Sequence, residues 1–244
     1  MKLLIIILST LFAQANEQYA AGQYAEAAEN YEACLNTTDD GSELTDESRS
    51  EVLYNLGNAR FKQGELAQAI LAYERSLRLN PGNKDARYNL EFARSRIIDD
   101  ITDNRTFFFS SWARNLRDRL TEKTWFIMSV GLFIIMLAAL VVFALARVLW
   151  VRKAGFHIAW IALLLSVVSG IDALSLHQRD TERAEAIITQ GITNAKSSPD
   201  RSGTDLFTLH EGTKVEISET LGEWCNIRVG NNEGWISLQH LERI

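Results

Sequence analysis

Two long runs of apolar residues dominate the hydropathy pattern of the chain. Residues 125–146 form an uncharged run of 22 residues, and residues 154–171 form a second run of 18 when His157 is taken as neutral. Each run is long enough to cross the hydrocarbon core of a bilayer as a helix. We therefore predict transmembrane helices over residues 124–147 and 154–175.

The segment between the two runs sets the expected orientation. Arg147, Arg152 and Lys153 give it three positive charges. Positively charged loops are retained in the cytoplasm, so both flanks of the predicted hairpin are expected on the periplasmic side of an inner membrane. His157 and Asp172 lie near the ends of the second run, where a side chain reaches water, and we interpret them as solvated rather than functional.

The first 15 residues have the pattern of a secretory signal peptide. Lys2 is a short basic region, residues 3–12 are an apolar core, and residues 13–15 form an Ala-Gln-Ala cleavage site. The apolar core is too short to span a bilayer comfortably. We predict that residues 1–15 are removed and that the following residues are exported. An uncleaved anchor or a buried helix is the alternative.

Large apolar and small residues recur at helical spacing in residues 50–83. The large positions include Leu53, Leu56, Phe61 and Tyr73, and the small positions and the turn hold Gly57, Ala69, Ser76 and Gly64. Small residues where helices cross allow two antiparallel helices to approach closely. The segment resembles a tetratricopeptide repeat, and this resemblance implies an all-α array with a groove for other proteins.

Partial repeats flank this segment, so the predicted repeat domain covers residues 16–100. Residues 16–35 match the second half of one repeat, and residues 83–94 begin another, which a helix from Lys84 to about Asp100 is expected to close. The register places a groove along the first helices of the repeats. Its predicted partner-binding residues are Tyr54, Asn58, Phe61, Lys62, Tyr88 and Phe92. For Phe61, a place in the core is the alternative.

A juxtamembrane segment, residues 101–123, precedes the first apolar run. Phe108, Trp112, Leu116 and Leu120 recur every four residues and therefore share one face of a helix. This pattern is typical of an amphipathic helix that lies in the membrane surface. Packing against the repeat domain is the alternative.

Residues 182–244 change to the alternating pattern of short β-strands separated by Gly and Asn turns. The turn 209–215 (Leu-His-Glu-Gly-Thr-Lys-Val) and the Gly234-Trp-Ile strand resemble those of a bacterial SH3 domain. The resemblance implies a small all-β barrel. Trp224 and Trp235 are the predicted ligand-binding residues of this domain, and a place in its core is the alternative for each.

Composition and motifs argue against an enzyme. The net charge of −6 and the lack of a basic patch disfavour nucleic-acid binding. Cys34 and Cys225 lie in different segments without metal or redox spacing, and we interpret both as buried core residues. The sequence contains no catalytic motif, so we predict no catalytic residue, no metal site and no cofactor.

The order of these segments gives a multidomain membrane protein: a signal peptide, a tetratricopeptide array, two transmembrane helices and an SH3-like barrel. In this order the chain resembles the E protein family of the Bacteroides aerotolerance (Bat) operon. The resemblance implies an envelope protein associated with MoxR-type ATPases and with membrane proteins that carry von Willebrand factor A domains.

We therefore expect a non-enzymatic inner-membrane scaffold, with both folded domains in the periplasm. Its expected partners are the lipid bilayer and proteins of the envelope, including the von Willebrand factor A domain proteins that the resemblance implies. The alternative is a cell-wall sensor whose SH3-like domain binds peptidoglycan. A hydrolase is disfavoured because the assigned segments leave no room for a catalytic domain.

Overall fold

The computed structural model of the chain divides into two compact units. One unit combines residues 1–107 with 183–244, and the other covers residues 108–182. The backbone is described for residues 2–36, 44–99, 117, 119–182 and 184–244, and the side chains for 8–36, 44–99, 117, 119–177 and 185–244. Most of the predicted juxtamembrane segment, residues 101–123, therefore lies outside the described residues.

The first unit begins with a pair of antiparallel helices. Helix α1 spans Lys2–Ala20 and α2 spans Tyr24–Asn36. Gly22 joins them with φ of 80°, a left-handed conformation that favours glycine. Helix α1 runs without a break through the predicted cleavage site, and its Leu8 and Ala15 are buried in the same apolar cluster as α2. Cleavage after Ala15 stays a prediction.

Three further helices complete the described part of the repeat array. They are α3 (Asp46–Gln63), α4 (Leu66–Leu79) and α5 (Lys84–Arg94). Thr45 and Asn83 cap the first turns of α3 and α5 through their side-chain oxygens. Helix α5 ends at Arg94, six residues before the predicted end, because the backbone N–H groups of residues 95–97 turn back onto its last carbonyls.

Small residues let the helices of the array approach closely. A Cβ atom added at Gly57 of α3 would lie 2.6 Å from Cε1 of Tyr73 on α4. Ala69 and Ser76, also of α4, have no exposed surface. The predicted small positions are thus the positions where α3 and α4 touch.

The C-terminal part of the first unit, which we call the β-domain (residues 184–244), is an antiparallel sheet. Its strands are β1 (Ala184–Ile188), β2 (Ile192–Lys196), β3 (Asp205–His210), β4 (Lys214–Leu221), β5 (Trp224–Val229), β6 (Asn232–Ser237) and β7 (Leu241–Arg243). They lie in the order β3-β2-β6-β5-β4-β1-β7. Alternate residues of these strands form one apolar core that includes Val215, Cys225, Ile227 and Ile236.

The second unit contains an antiparallel pair of long apolar helices, which we call the membrane hairpin. Helix α6 spans Glu122–Leu145 and α7 spans Leu149–Glu182. Glu122–Leu145 and Leu149–His177 are long and apolar enough to cross a membrane. Only residues 146–148 connect the helices, so Arg152 and Lys153 lie in the first turns of α7 rather than in the predicted loop.

Candidate functional site

The described helices of the array enclose a groove on one side. It is a cavity of about 230 Å³ between residues of α1, α3, α4 and α5. Its lining consists of aromatic, amide and lysine side chains: Tyr19, Asn58, Phe61, Lys62, Tyr73, Tyr88, Asn89 and Phe92. We call this cavity the repeat groove. Aromatic residues such as these tyrosines and phenylalanines are enriched in surfaces that bind proteins.

A hydrogen-bond network holds the floor of the repeat groove. Asn58 Oδ1 accepts hydrogen bonds from the Tyr73 hydroxyl at 2.8 Å and from Asn89 Nδ2 at 2.8 Å. Burial raises the pKa of Tyr73 well above its ordinary value, so its hydroxyl keeps its proton and remains a donor at neutral pH. The network fixes the two amides between α3 and α5.

Aromatic rings and a guanidinium form one end of the groove. The rings of Phe61 and Phe92 have centroids 5.7 Å apart. The guanidinium of Arg96 lies over both rings, 4.7 Å from the centroid of Phe92 and 5.3 Å from that of Phe61. Such cation–π contacts hold a positive charge at an apolar surface. Tyr88 is 69 % exposed nearby, where a partner can reach it.

Five of the six predicted groove residues line this cavity, and the sixth lies behind it. Tyr54 packs against Tyr73 and contacts Asn89 instead of lining the groove. Phe61 fits both of its interpretations, because it lines the groove and also packs against the apolar cluster of the array. Asn58 is only partly exposed, since two internal hydrogen bonds engage its amide oxygen.

Four residues at the groove were not predicted to lie there from the sequence: Tyr19, Tyr73, Asn89 and Arg96. Tyr19 occupies the place in α1 that Phe61 occupies in α3, since each lies three residues before the glycine that ends its helix. That spacing was visible in the sequence. Arg96 follows the end of α5, where no helical periodicity places it, and only the folded chain brings it over Phe92.

The outer face of the β-domain carries the two predicted tryptophans. Asn226 of β5 pairs with Trp235 of β6, and Trp224 pairs with Ser237, which makes the tryptophans diagonal neighbours. Both are partly exposed, and neither belongs to the apolar core. Among the described residues, the Asn226 side-chain oxygen between them is buried without a hydrogen-bond partner.

The described residues contain no group of three His, Cys, Asp or Glu side chains that could hold a metal ion. Cys34 and Cys225 are buried free thiols. Burial raises the pKa of Cys34 and raises that of Cys225 to about 11, so both remain protonated at neutral pH. A protonated, buried thiol is a packing residue and not a nucleophile.

Comparison with known protein families assigns the two kinds of fold in the first unit. Residues 50–83 match the tetratricopeptide repeat family, and residues 193–242 match the bacterial SH3 domain family. The chain thus combines a tetratricopeptide repeat, two helices able to cross a membrane and a bacterial SH3 domain. No curated protein matches the chain. Both matched families are interaction modules, which indicates binding rather than catalysis.

Proposed function

We propose that the chain is a non-enzymatic adaptor of the bacterial inner membrane, and that its repeat groove binds a segment of a partner protein. The observation that carries this proposal is the repeat groove itself. It combines fixed amides at Asn58 and Asn89 with the exposed ring of Tyr88 and the cation of Lys62. A groove of this kind binds a helix or an extended segment.

The chemistry of the groove favours a partner segment that is both acidic and apolar. The Asn58 amide nitrogen can donate to a carbonyl oxygen of the segment, whereas Asn89 Nδ2 already donates to Asn58 and Tyr54. The rings of Tyr88 and Phe92 offer apolar contact. Lys62 and Arg96 contribute positive charge to the same groove. By the resemblance to the Bat system, the partners are membrane proteins with von Willebrand factor A domains.

The contacts of the first unit support a location of both folded domains on one side of the membrane. Asp99, where the described array ends, accepts hydrogen bonds from His210 and Thr213 of the β-domain. The chain between these domains contains two candidate spans. Two crossings return the chain to the side that it left. The charges of Arg147, Arg152 and Lys153 favour the periplasm for that side.

Labelling of single cysteines tests this topology. The native thiols are buried, so exposed cysteines introduced by Glu65→Cys in the array, Ser202→Cys in the β-domain and Val148→Cys in the hairpin give separate signals. An impermeant thiol reagent should label the first two in cells with a permeabilised outer membrane and should spare the third. Labelling of Val148→Cys alone would place both domains in the cytoplasm.

Substitution of exposed groove residues tests the adaptor function. Lys62→Glu and Tyr88→Ala change side chains that are exposed, so each should alter stability by less than about 0.5 kcal/mol. We expect the double variant to insert normally but to lose the von Willebrand factor A domain partners on purification from native membranes. Lys84→Glu, on the same array but outside the groove, is the matched control. Retention of these partners by the double variant would contradict the proposal.

A second candidate function is cell-wall binding through the β-domain. The observation that favours it is the pair of partly exposed tryptophans on one face, since indole rings stack on sugar and peptide groups of a ligand. Trp224→Ala with Trp235→Ala should then abolish sedimentation of the purified protein with peptidoglycan. If this variant loses sedimentation while the groove variant keeps its protein partners, the sensor function replaces the adaptor function.

A further inference from the structure

The described array has an apolar side that its own helices leave open. After α5 the chain turns at residues 95–97, and no further array helix follows up to Asp99. An array of repeats needs a cap on its last repeat, because the final repeat otherwise exposes the apolar surface that its neighbour would cover. Helices α4 and α5 carry such a surface around Ile70, Leu90 and Ala93.

Strand β1 of the β-domain covers this surface. Ala186 and Ile188 point into the core of the β-domain, whereas Ile187 between them is fully buried in the apolar cluster of α4 and α5. Ile244, the last residue of the sequence, packs against the same cluster. An isolated β-domain would therefore expose Ile187, which its own core does not use.

A glycine turn allows the close approach of the two domains. Gly212 has φ of +85°, and a Cβ atom there would lie 3.1 Å from Cδ1 of Ile70 and 3.2 Å from Cγ1 of Ile97. Glycine is needed here for its backbone conformation and for the space it leaves. The turn is thus shaped to the end of the array.

Asp99 is the polar centre of the contact. Its carboxylate accepts hydrogen bonds from the His210 backbone N–H at 2.8 Å and from the Thr213 hydroxyl at 2.7 Å, and it lies 2.6 Å from His210 Nδ1. Burial alone would raise the pKa of Asp99, but these hydrogen bonds outweigh burial and lower it. The carboxylate is therefore ionised while the domains are in contact.

Ion pairs and backbone contacts surround this centre. Lys214 of β4 lies 3.3 Å from Glu74 of α4 and 2.7 Å from Glu185 of β1. Arg75 pairs with Glu242 at 3.0 Å, and Arg78 donates to the Ile244 carbonyl at 2.8 Å. The Arg75–Glu242 pair is exposed and screened by water, so it orients the two domains more than it stabilises them. The Lys214 pairs are largely buried, and water screens them less.

We propose that the β-domain is the cap of the repeat array, and that the groove residues on α5 are held in place only while this cap is bound. The two matched families are thus parts of one cooperative body. Tyr88 and Phe92 lie on α5, so the cap governs the groove without touching its ligand. This consequence for binding rests on the adaptor function proposed above, whereas the capping itself does not.

Hydrogen exchange of the purified full-length protein tests the cap in the absence of any partner. Ile187→Asp places a charge in the contact and should speed amide exchange in α5 by about tenfold or more. Ile192→Asp makes the same chemical change at a 65 % exposed position of β2 and should leave α5 unchanged. If α5 keeps its protection in Ile187→Asp, whether or not the β-domain unfolds, the capping proposal is wrong.

A second variant tests the polar centre without an apolar change. Asp99→Asn keeps the size of the side chain but removes the charge that faces His210 and Thr213. The amides of α5 should again exchange faster, by a smaller factor than in Ile187→Asp. Asp205→Asn, at an exposed carboxylate of β3, is its control. Equal protection of α5 in the Asp99 variant and its control would contradict the role of Asp99.

If the β-domain caps the array, its deletion should impair partner binding even though it does not touch the partner. Deletion of residues 184–244 should abolish partner binding for a structural reason, whereas Ile192→Asp, at an exposed position of the β-domain, should leave it unchanged. Partner binding that survives the deletion at full strength would contradict the cap. Loss of binding in Lys62→Glu with Tyr88→Ala, at unchanged exchange in α5, would support the groove independently.

Discussion

The helix pair α3 and α4 in the array and the membrane hairpin α6 and α7 are joined by the same kind of hydrogen bond. In the array, the hydroxyls of Ser50 and Ser76 each donate to the other's backbone carbonyl at 2.8 Å. In the hairpin, Ser129 and Ser166 do the same at 2.9 Å. Both pairs also bring a glycine against the facing helix, Gly57 in one and Gly155 in the other.

The surfaces away from these contacts differ completely. Helix α3 presents Glu51 and Lys62 to solvent. Helix α6 presents Phe126, Ile127 and Ile134, each more than half exposed. A helix that is apolar all round is stable only where its surroundings are apolar too. The same contacts between helices therefore occur in both pairs, so they do not depend on the surroundings. The outward-facing residues do differ, and they indicate whether those surroundings are water or lipid.

The largest loss of stability is expected from Gly57→Leu, which would break the contact between α3 and α4. The new side chain must displace the buried ring of Tyr73, and such overpacking costs about 1–3 kcal/mol or more. Because the array and the β-domain share a contact, we expect both to lose protection from proteolysis together. Gly191→Leu, a glycine with open space around it, should change neither. If the Gly57 variant resisted proteolysis as well as the unmodified protein, the close approach of α3 and α4 would be refuted.

A smaller effect is expected in the membrane hairpin from Gly155→Leu. A Cβ atom at this position would lie 3.0 Å from the carbonyl oxygen of Ala139, so a leucine should push α7 away from α6. Association of such helices depends on close packing of small residues. The hairpin of this variant should unfold at a lower fraction of SDS in mixed micelles. Gly131→Leu meets open space and should not shift the transition.

The smallest effects on stability are expected from the serine pairs. The cost of losing one hydroxyl can be compared between the array and the hairpin. Ser76→Ala removes one buried hydrogen bond and should cost about 1 kcal/mol in thermal unfolding of the array. Ser166→Ala should cost about 0.6 kcal/mol in SDS unfolding of the hairpin. Ser175→Ala is the control, since the Ser175 hydroxyl donates to the Ile171 carbonyl of its own helix. A much larger cost in the hairpin would contradict the view that both contacts are equivalent.

The elements that were predictable are those that local patterns define. The two apolar runs predicted α6 and α7, and the spacing of small residues predicted the contact of α3 with α4. Five groove residues were predictable for the same reason, because a helical register fixes which side chains share a face. The internal hydrogen bonds of Asn58 were not, since they require Tyr73 and Asn89 to meet in space.

The N-terminal segment is the case in which one pattern fits two structures. Its apolar core predicts a signal peptide, yet the structure packs it as the first helix of a repeat. The Tyr31 hydroxyl donates to Asn16 Oδ1 as that of Tyr73 donates to Asn58 Oδ1, each residue 42 positions after its counterpart. Ala15 then occupies the place of Gly57. Apolar residues at helical spacing satisfy a signal sequence and a repeat core equally well.

By itself the sequence determined the kinds of element, their order and the two interaction modules, because helix periodicity, strand alternation and apolar length are local properties of a chain. Only the tertiary structure decided that Ile187 turns outward from its own domain and caps the array, and that Asp99 meets His210 across 111 residues of sequence. Contacts between distant segments leave no periodic trace, since they depend on where folded surfaces come to lie.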